Sequence, residues 1–376
     1  MLSCWIQLTR DSDQYQETII PFESLSYLEF APAVSAKLKV ALPDFKVEEN
    51  LGFEPTSSGE HIFLKVKKIN LSTLDVARKL SEITGLKMSS IGYSGMKDKR
   101  AECVQWFSIP FQEELENLIG SLENDQLMVI TKHLNTRKLR IGSHKENNFR
   151  IKLRDCRGEK SEFERRLYRV MEQGIPNYFG VQRFGKHMNN IRTVMNLAQE
   201  RPNLLTPEFS KKRMAKSVLN KGILISAARS YVFNQVLSTR IESGNWNEYV
   251  PGDVINLDGT DSYFLVANDQ WDDTLEERLN NFDIHISGPL AGIIAQEYKY
   301  VTKSKAADIE GVYLIKFRPL VKKLIEMNVL ASRRPMRFRP KDLRWSWEGD
   351  DILDLSFSLR RGCYATSLLR EVCLID

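Results

Sequence analysis

Hydrophobic periodicity changes twice along this chain, and that change limits the folds open to it. Residues 61–68 alternate Ile62, Leu64 and Val66 with Lys65 and Lys67, the period-two pattern of a half-buried strand. Residues 149–154 do the same, with Phe149, Ile151 and Leu153 on one side and Arg150, Lys152 and Arg154 on the other. Near the C-terminus Leu353, Leu355, Phe357 and Leu359 alternate with Asp354, Ser356 and Ser358. Between these ends the pattern turns helical over 191–199, 211–219, 227–241 and 320–329, with one short strand-like patch at 263–266. A sheet-rich, helix-rich, sheet-rich order implies an α+β fold: a domain with a mixed or antiparallel sheet, interrupted by a helix-rich insertion. The discontinuous domain is expected at residues 1–175 and 331–376 and the insertion at 176–330, with a basic linker over 331–339.

Local signals sharpen the first half. Ser72 followed by Asp75 is a helix N-cap, with Leu71 and Val76 spaced as a hydrophobic staple and Gly85 as the stop. A second capping box, Ser161 with Glu164, opens a helix that ends near Gly174. Residues 104–109 read as a strand leaving a tight loop.

That loop carries the densest chemistry. Its one carboxylate, Asp98, lies between Lys97, Lys99 and Arg100. Three cations beside a lone acid favour its ionised form and attract phosphate, so a nucleophile or general base facing a polyanionic substrate is one reading. A solvated turn is the other. Asn147-Asn148-Phe149 opens a strand inside a basic block: an aromatic beside amides can stack on an unpaired base while an amide reads its edge, or Phe149 begins the buried face of its strand. Residues 176–185 pack three aromatics, two glycines and Arg183 into a loop that is either a ligand-binding segment or an aromatic-packed hinge. Residues 360–370 leave the last strand through Gly362 into a segment that reads as helix from Ala365 onward, with Thr366 and Ser367 near its start; Tyr364 either faces a substrate ring or joins the core.

Charge is unevenly spread. Three segments, 132–157, 183–229 and 320–345, carry net charges of +7, +8 and +6 in a chain whose total is only +5. Such segregation is the expected footprint of a nucleic-acid partner, against the alternative of solvated faces. Five dispersed cysteines without a C-x-x-C pair argue for a reducing compartment and against disulfides or a structural zinc site, and the dispersed histidines show no metal constellation. The N-terminus lacks the apolar core of a signal peptide, and no apolar run reaches membrane-spanning length, so a cytoplasmic protein without membrane contact is expected.

With these stretches in hand, the chain resembles the TruD family of pseudouridine synthases. Asp44-Phe45-Lys46-Val47-Glu48-Glu49, Leu51-Gly52-Phe53-Glu54-Pro55 and Gly59-Glu60-His61 resemble its N-terminal signature. Gly95-Met96-Lys97-Asp98-Lys99-Arg100-Ala101 resembles its catalytic G-x-K-D-x-x-A block. Asn177-Tyr178-Phe179-Gly180 with Gln182-Arg183-Phe184-Gly185, Ser226-Ala227-Ala228-Arg229-Ser230, and Tyr364-Ala365-Thr366-Ser367 are similar to three more, in the family's order. The resemblance implies isomerisation of uridine 13 of tRNA, with Asp98 as the catalytic aspartate and Phe149 stacking on the flipped uracil. It implies that Lys39, Gln105, Asn147 and Tyr364 line the pocket, Tyr364 standing where the family often has phenylalanine. Arg370 is the expected cation partner of Asp98. Lys97, Lys99, Arg100, Arg183 and Arg229 are expected to touch RNA, bound in the cleft between the domain and its insertion. The resemblance further implies a tRNA partner; nothing in the sequence demands an obligatory protein partner or more than a monomer.

The chemistry suits these residues independently. Pseudouridine formation breaks N1–C1′ and forms C5–C1′, is redox-neutral, and needs one carboxylate, so no cofactor is expected. The chain shows no motif for a nicotinamide, a flavin or a metal. An RNA chaperone would show the same basic segments without needing Asp98. A methyltransferase would need a glycine-rich donor loop after a strand, and a metal-dependent nuclease clustered carboxylates; neither signature is present.

Overall fold

The structure, a computed structural model, describes residues 19–199, 211–267, 270–295 and 300–376. The N-terminal segment read above for a signal peptide, and 200–210 of the second basic segment, lie outside them. The chain divides into two compact units: Pro32–Glu172 with Arg339–Asp376, and Gln173–Phe338 with the segment ending at Ala31.

The first unit is built on a ten-stranded mixed sheet. Its strands are β1 (Ser35–Leu38), β2 (Phe45–Asn50), β3 (His61–Ile69), β4 (Gly92–Tyr93), β5 (Glu102–Pro110), β6 (Leu127–Asn135), β7 (Glu146–Arg157), β8 (Lys341–Glu348), β9 (Ile352–Arg360) and β10 (Leu374–Ile375). The main path runs β8-β9-β7-β2-β5-β3-β6, with β1 joining β10 to β7 and β4 added against β5. Only β2 with β5 and β1 with β10 pair in parallel; the other neighbours are antiparallel. Helices α1 (Thr73–Thr84), α2 (Glu113–Gly120), α3 (Lys160–Gln173) and α4 (Ala365–Val372) complete the unit.

The main core follows from the alternation. Ile62, Leu64 and Val66 of β3 and Phe107 and Ile109 of β5 pack with Val76, Ala77 and Leu80 of α1 and Leu115 and Ile119 of α2. Helix α1 starts where Ser72 Oγ accepts from Asp75 N at 3.1 Å while Asp75 returns a bond to Ser72 N at 2.9 Å. Gly85 ends it in the left-handed region, φ 68°. Leu71 and Val76 both enter the core, as a staple requires. The second expected capping box is absent. Helix α3 already begins at Lys160, which puts Ser161 inside its first turn. Glu164 instead accepts from Trp347 Nε1 of β8 at 3.1 Å, and Phe163 meets the Trp347 ring edge-on at 5.5 Å.

The second unit departs further from expectation. The two helices anticipated over 211–219 and 227–241 are one continuous helix, Lys211–Glu242. This unit also carries a four-stranded sheet, in the order Tyr263–Leu265, Val254–Leu257, Ile284–Leu290, Ser332–Pro335. Residues 331–339 are therefore no linker. Ser332–Pro335 pairs with Ile284–Leu290, and Arg337–Phe338 pairs with Ile175–Pro176. The described residues before Pro32, expected at the edge of the first unit, group with the second. Ile20 N donates to Tyr231 Oη at 2.8 Å, Ser26 N to Ser238 Oγ at 2.9 Å, and Tyr178 Oη to Ser26 O at 3.0 Å. In the loop 176–185 all three aromatics, Tyr178, Phe179 and Phe184, are buried, so packing accounts for them.

Between β1 and β2 the chain makes a tight turn that matters below. Buried Asp44 accepts from Ala41 N at 2.7 Å, and Arg154 of β7 grips it with Nε at 2.9 Å and Nη2 at 2.8 Å. Burial pushes the Asp44 carboxyl up, but the Arg154 and Ala41 bonds outweigh it and hold the group below its ordinary range. A depressed carboxyl contributes stability above its unfolded value, which is lost as pH falls through the folded one. Arg154→Ala is expected to destabilise the protein by about 1–2 kcal/mol at neutral pH, the partly exposed guanidinium being screened by water. In thermal melts across pH, that deficit should shrink below roughly pH 4, where unpaired carboxylates protonate.

Candidate active site

The buried face of the sheet turns polar where it approaches the Asp98 loop. Strand β3 continues its inward series with Lys68, β2 follows Phe45 and Val47 with Glu49, and β5 contributes Cys103 and Gln105; all four polar or thiol side chains are buried. Pairing brings them together, since Lys68 faces Cys103, Val66 faces Gln105, and Glu49 faces Asn147. A charge out of water is tolerated only when it is paired or hydrogen-bonded: Glu49 pairs with Lys97, and Lys68 donates to two carbonyls.

Lys68 is fully buried. Its ammonium donates to Leu71 O at 2.6 Å and to the Asp98 backbone carbonyl at 2.9 Å, tying the loop to the strand end. Burial lowers its pKa, with Cys103 and Asp98 opposing the shift. Burial likewise raises that of the Cys103 thiol, which lies beside the same carbonyl. Gln105 fastens the loop from below. Its Nε2 donates to Gly95 O at 2.6 Å, and its Oε1 accepts from Thr73 Oγ1 at 2.9 Å, while Thr73 Oγ1 accepts from Lys97 N at 2.8 Å. Expected in the pocket lining, Gln105 is fully buried with both ends of its amide engaged, so it holds the loop's backbone.

Asp98 itself is half-buried, and its Oδ2 accepts from Lys39 Nζ. This corrects the expected pairing with Arg370, which is buried on α4 and donates to Glu371 Oε1 at 3.2 Å. The cations adjacent in sequence do not pair with the Asp98 carboxylate either. Lys97 turns inward to Glu49 Oε1 at 2.7 Å in a buried ion pair, which removes it from the expected RNA contacts. Arg100 is exposed and donates to Val40 O at 3.3 Å, and Lys99 is exposed. Lys39 reaches Asp98 because the Asp44–Arg154 pair pins its turn and its own backbone sits in the left-handed region, φ 58°. For a residue with a Cβ that conformation costs of order 1–3 kcal/mol, which the surrounding structure must hold.

Phe149 lies close to this pair through a chain of rings. It stacks on Phe357, its cross-strand neighbour on β9, at 5.3 Å and 22°, and meets Phe45 edge-on at 6.1 Å. Lys39 Nζ stands 4.1 Å from the Phe45 ring centre. Phe149 is buried, so it does begin the buried face of its strand. Asn147, two residues before it on the same face, contacts His144 Nε2 at 3.3 Å. Tyr364 is the half-buried N-cap residue of α4.

The remaining expected RNA contacts belong to the second unit. Arg183 donates to Ser226 Oγ at 2.8 Å and lies 5.6 Å from the Phe179 ring centre. Arg229 acts as an internal clamp, its Nη2 donating to Leu330 O at 3.1 Å and Ser332 Oγ at 2.6 Å. Part of the basic segment 320–345 is consumed in the same way, while Lys322, Arg339, Lys341 and Arg344 are exposed. Arg333 pairs with buried Glu310, Arg334 lies 4.0 Å over Phe179, and Arg337 is buried over Phe282 with its pKa lowered to about 10 by burial.

Sequence reasoning missed Glu49, Lys68 and His144. For the first two a signal existed: period-two counting puts both on the apolar face of a strand, where a charge demands a partner. Among the described residues no group of three His, Cys, Asp or Glu could hold a metal, and no helix is long and apolar enough to cross a membrane.

The family model described as "tRNA pseudouridine synthase D (TruD)" matches residues 22–201 and 210–372. The tRNA pseudouridine synthase D of Xanthomonas campestris pv. campestris (strain 8004) is 35% identical over 346 residues, 91% of this chain and 92% of that protein. The protein of the same name from Methylococcus capsulatus is 34% identical over 340 residues, 90% of this chain and 91% of its own. The crystal structure of a putative tRNA pseudouridine synthase D from Methanosarcina mazei is similar with a TM-score of 0.66 over 92% of this chain and 95% of that one. Their identity is 22%, so this last likeness shows the fold.

Lys68→Met is expected to leave the carbonyls of Leu71 and Asp98 without their donor and to destabilise the protein by about 1–3 kcal/mol. Denaturant melts read that loss. Hydrogen exchange should localise it as faster exchange across the loop that holds Asp98.

Proposed function

Because the chain belongs to the tRNA pseudouridine synthase D family, we propose that it isomerises uridine 13 of tRNA to pseudouridine, with Asp98 as its catalytic carboxylate. The observation that carries this reading is the Asp98–Lys39 pair, half-open to solvent and set beside the Phe45–Phe149–Phe357 rings. One side of such a site offers a carboxylate to the reacting sugar or base, and the other offers apolar rings to a pyrimidine.

The reaction breaks N1–C1′, turns the base, joins C5 to C1′, and balances loss of the C5 proton by protonation of N1. Asp98 serves it either as a nucleophile on sugar or base, or as the base that removes the C2′ proton to give a glycal. Lys39 balances the carboxylate in the free enzyme and orients it. Leaving the helix stack costs the uridine roughly a few kcal/mol. Stacking against Phe149, worth about 1–3 kcal/mol, offsets much of that. Exposed Lys99 and Arg100, which directly follow Asp98 in the chain, suit the phosphates of the flipped nucleotide. On this reading the protein works as a cytoplasmic monomer on tRNA, through side chains alone, because the isomerisation is redox-neutral.

Pseudouridine mapping on tRNA incubated with wild-type protein is expected to find one new pseudouridine in the D-arm, at position 13. Asp98→Asn should abolish it while leaving salt-sensitive tRNA binding largely intact, since phosphate contacts elsewhere dominate affinity. Binding without any pseudouridine in any RNA would leave an RNA-binding protein on a synthase scaffold.

A further inference from the structure

Beside the Asp98 loop, three polar atoms are shielded from water with no hydrogen-bond partner: Asn147 Oδ1, His144 Nδ1 and Ser94 Oγ. A buried acceptor left open is costly, and a donor arriving with a ligand removes that cost. Asn147 is the one of the three that lies next but one to Phe149 on the inward face of β7.

The other end of its amide is already spoken for. Asn147 Nδ2 lies 3.3 Å from His144 Nε2. An amide NH2 has only protons to give, so this contact is attractive only when Nε2 is the bare nitrogen of the imidazole. The ring proton then sits on Nδ1, which faces Glu49 Oε1 at 3.9 Å. That carboxylate favours a proton on Nδ1, and it is held in place by Lys97 Nζ at 2.7 Å and by Trp106 N at 3.1 Å. The charged groups around the ring are Lys97, Glu49 and Arg361. Burial first, then Lys97 and Arg361, push the imidazole below its ordinary range against the opposing pull of Glu49 and the Ser94 backbone, so at neutral pH it stays uncharged.

We propose that His144 is a positioning residue: it turns the Asn147 amide so that Oδ1 is presented as an acceptor to the pyrimidine, selecting uracil over cytosine. This rests on the reading that the site takes a uridine. Uracil carries a donor at N3, which Oδ1 accepts. Cytosine carries an acceptor there, and two acceptors facing one another in a buried site repel. Protonated His144 would make Nε2 a donor, forcing the amide to rotate and to present NH2 to the base. The site would then reject its own substrate.

The test compares wild-type protein with His144→Ala and His144→Gln on one tRNA, measuring single-turnover pseudouridine formation, tRNA binding and Tm. His144→Ala should slow the reaction roughly tenfold, the loss of one oriented hydrogen bond, with tRNA affinity little changed. Gln offers Oε1 as an acceptor to Asn147 Nδ2 but does not titrate. His144→Gln should therefore recover most of the rate and abolish the acid-side fall expected of wild type, which sets in below the ordinary imidazole range because burial and Lys97 lower the His144 pKa. A wild-type rate in His144→Ala would overturn the proposal. So would equal losses in both variants that track a lowered Tm, which is the signature of packing alone. Absence of pseudouridine with wild-type protein would instead sink the reading of the activity, and the proposal with it.

Discussion

The hydrogen-bond ladders of strand β7 are the constraint on which the rest of the candidate site depends. Along one edge β7 pairs with β9; along the other it pairs with β2 and then β1. These registers put Phe149 between Phe357 and Val47, and Asn147 between Leu359 and Glu49. Because side chains alternate faces, a slip of one residue would send Asn147 and Phe149 outward and bring Asn148 and Arg150 in. Three ladders on one strand make that slip expensive, so the ring stack and the amide hold one arrangement. The same strand anchors the turn that carries Lys39, through Arg154 and Asp44.

Buried charge is the second organising feature. Glu49 with Lys97, and Lys68 on two carbonyls, lie where the apolar face of the sheet gives out beneath the Asp98 loop. Replacing a whole buried ion pair such as Glu49–Lys97 by apolar residues is often as stable or more so, which makes that pair a poor explanation of stability and a good one of geometry. Buried polar groups fix one loop from three sides: Lys68 at the Asp98 carbonyl, Gln105 at the Gly95 carbonyl, and Thr73 at the Lys97 amide. A carboxylate mounted this way is held in place before any substrate arrives, which suits the catalytic role proposed for Asp98.

Net charge along the sequence overstated the surface available to RNA. In the segment 320–345, Arg333, Arg334 and Arg337 are taken up by Glu310, by the Phe179 ring and by the Phe282 ring. In 132–157, Arg154 is spent on Asp44, and Lys152 on Glu348 at 2.5 Å. Arginine stacks and forks as readily inside a protein as on a phosphate, so counting it along a chain cannot separate the two uses. Lys99 and Arg100 remain exposed beside Asp98.

Local physics was legible in the sequence because its causes are local. Period-two alternation located β3, β7 and β9, the Ser72–Asp75 pair located the start of α1, and the motif blocks located the loop of Asp98 and the family. The α+β class followed from the order of those signals. Partnership was not legible. That Asp98 pairs with Lys39 and not with Arg370, that Lys97 turns inward, that Ser161 lies inside a helix, and that residues 331–339 form strands all depend on groups far away in the chain. A charge beside an acid in sequence and a charge beside it in space are chosen by different rules: the first by composition, the second by which strands pair and in what register. Tertiary structure decided those contacts because a buried charge must find its partner wherever the fold, once closed, has put one.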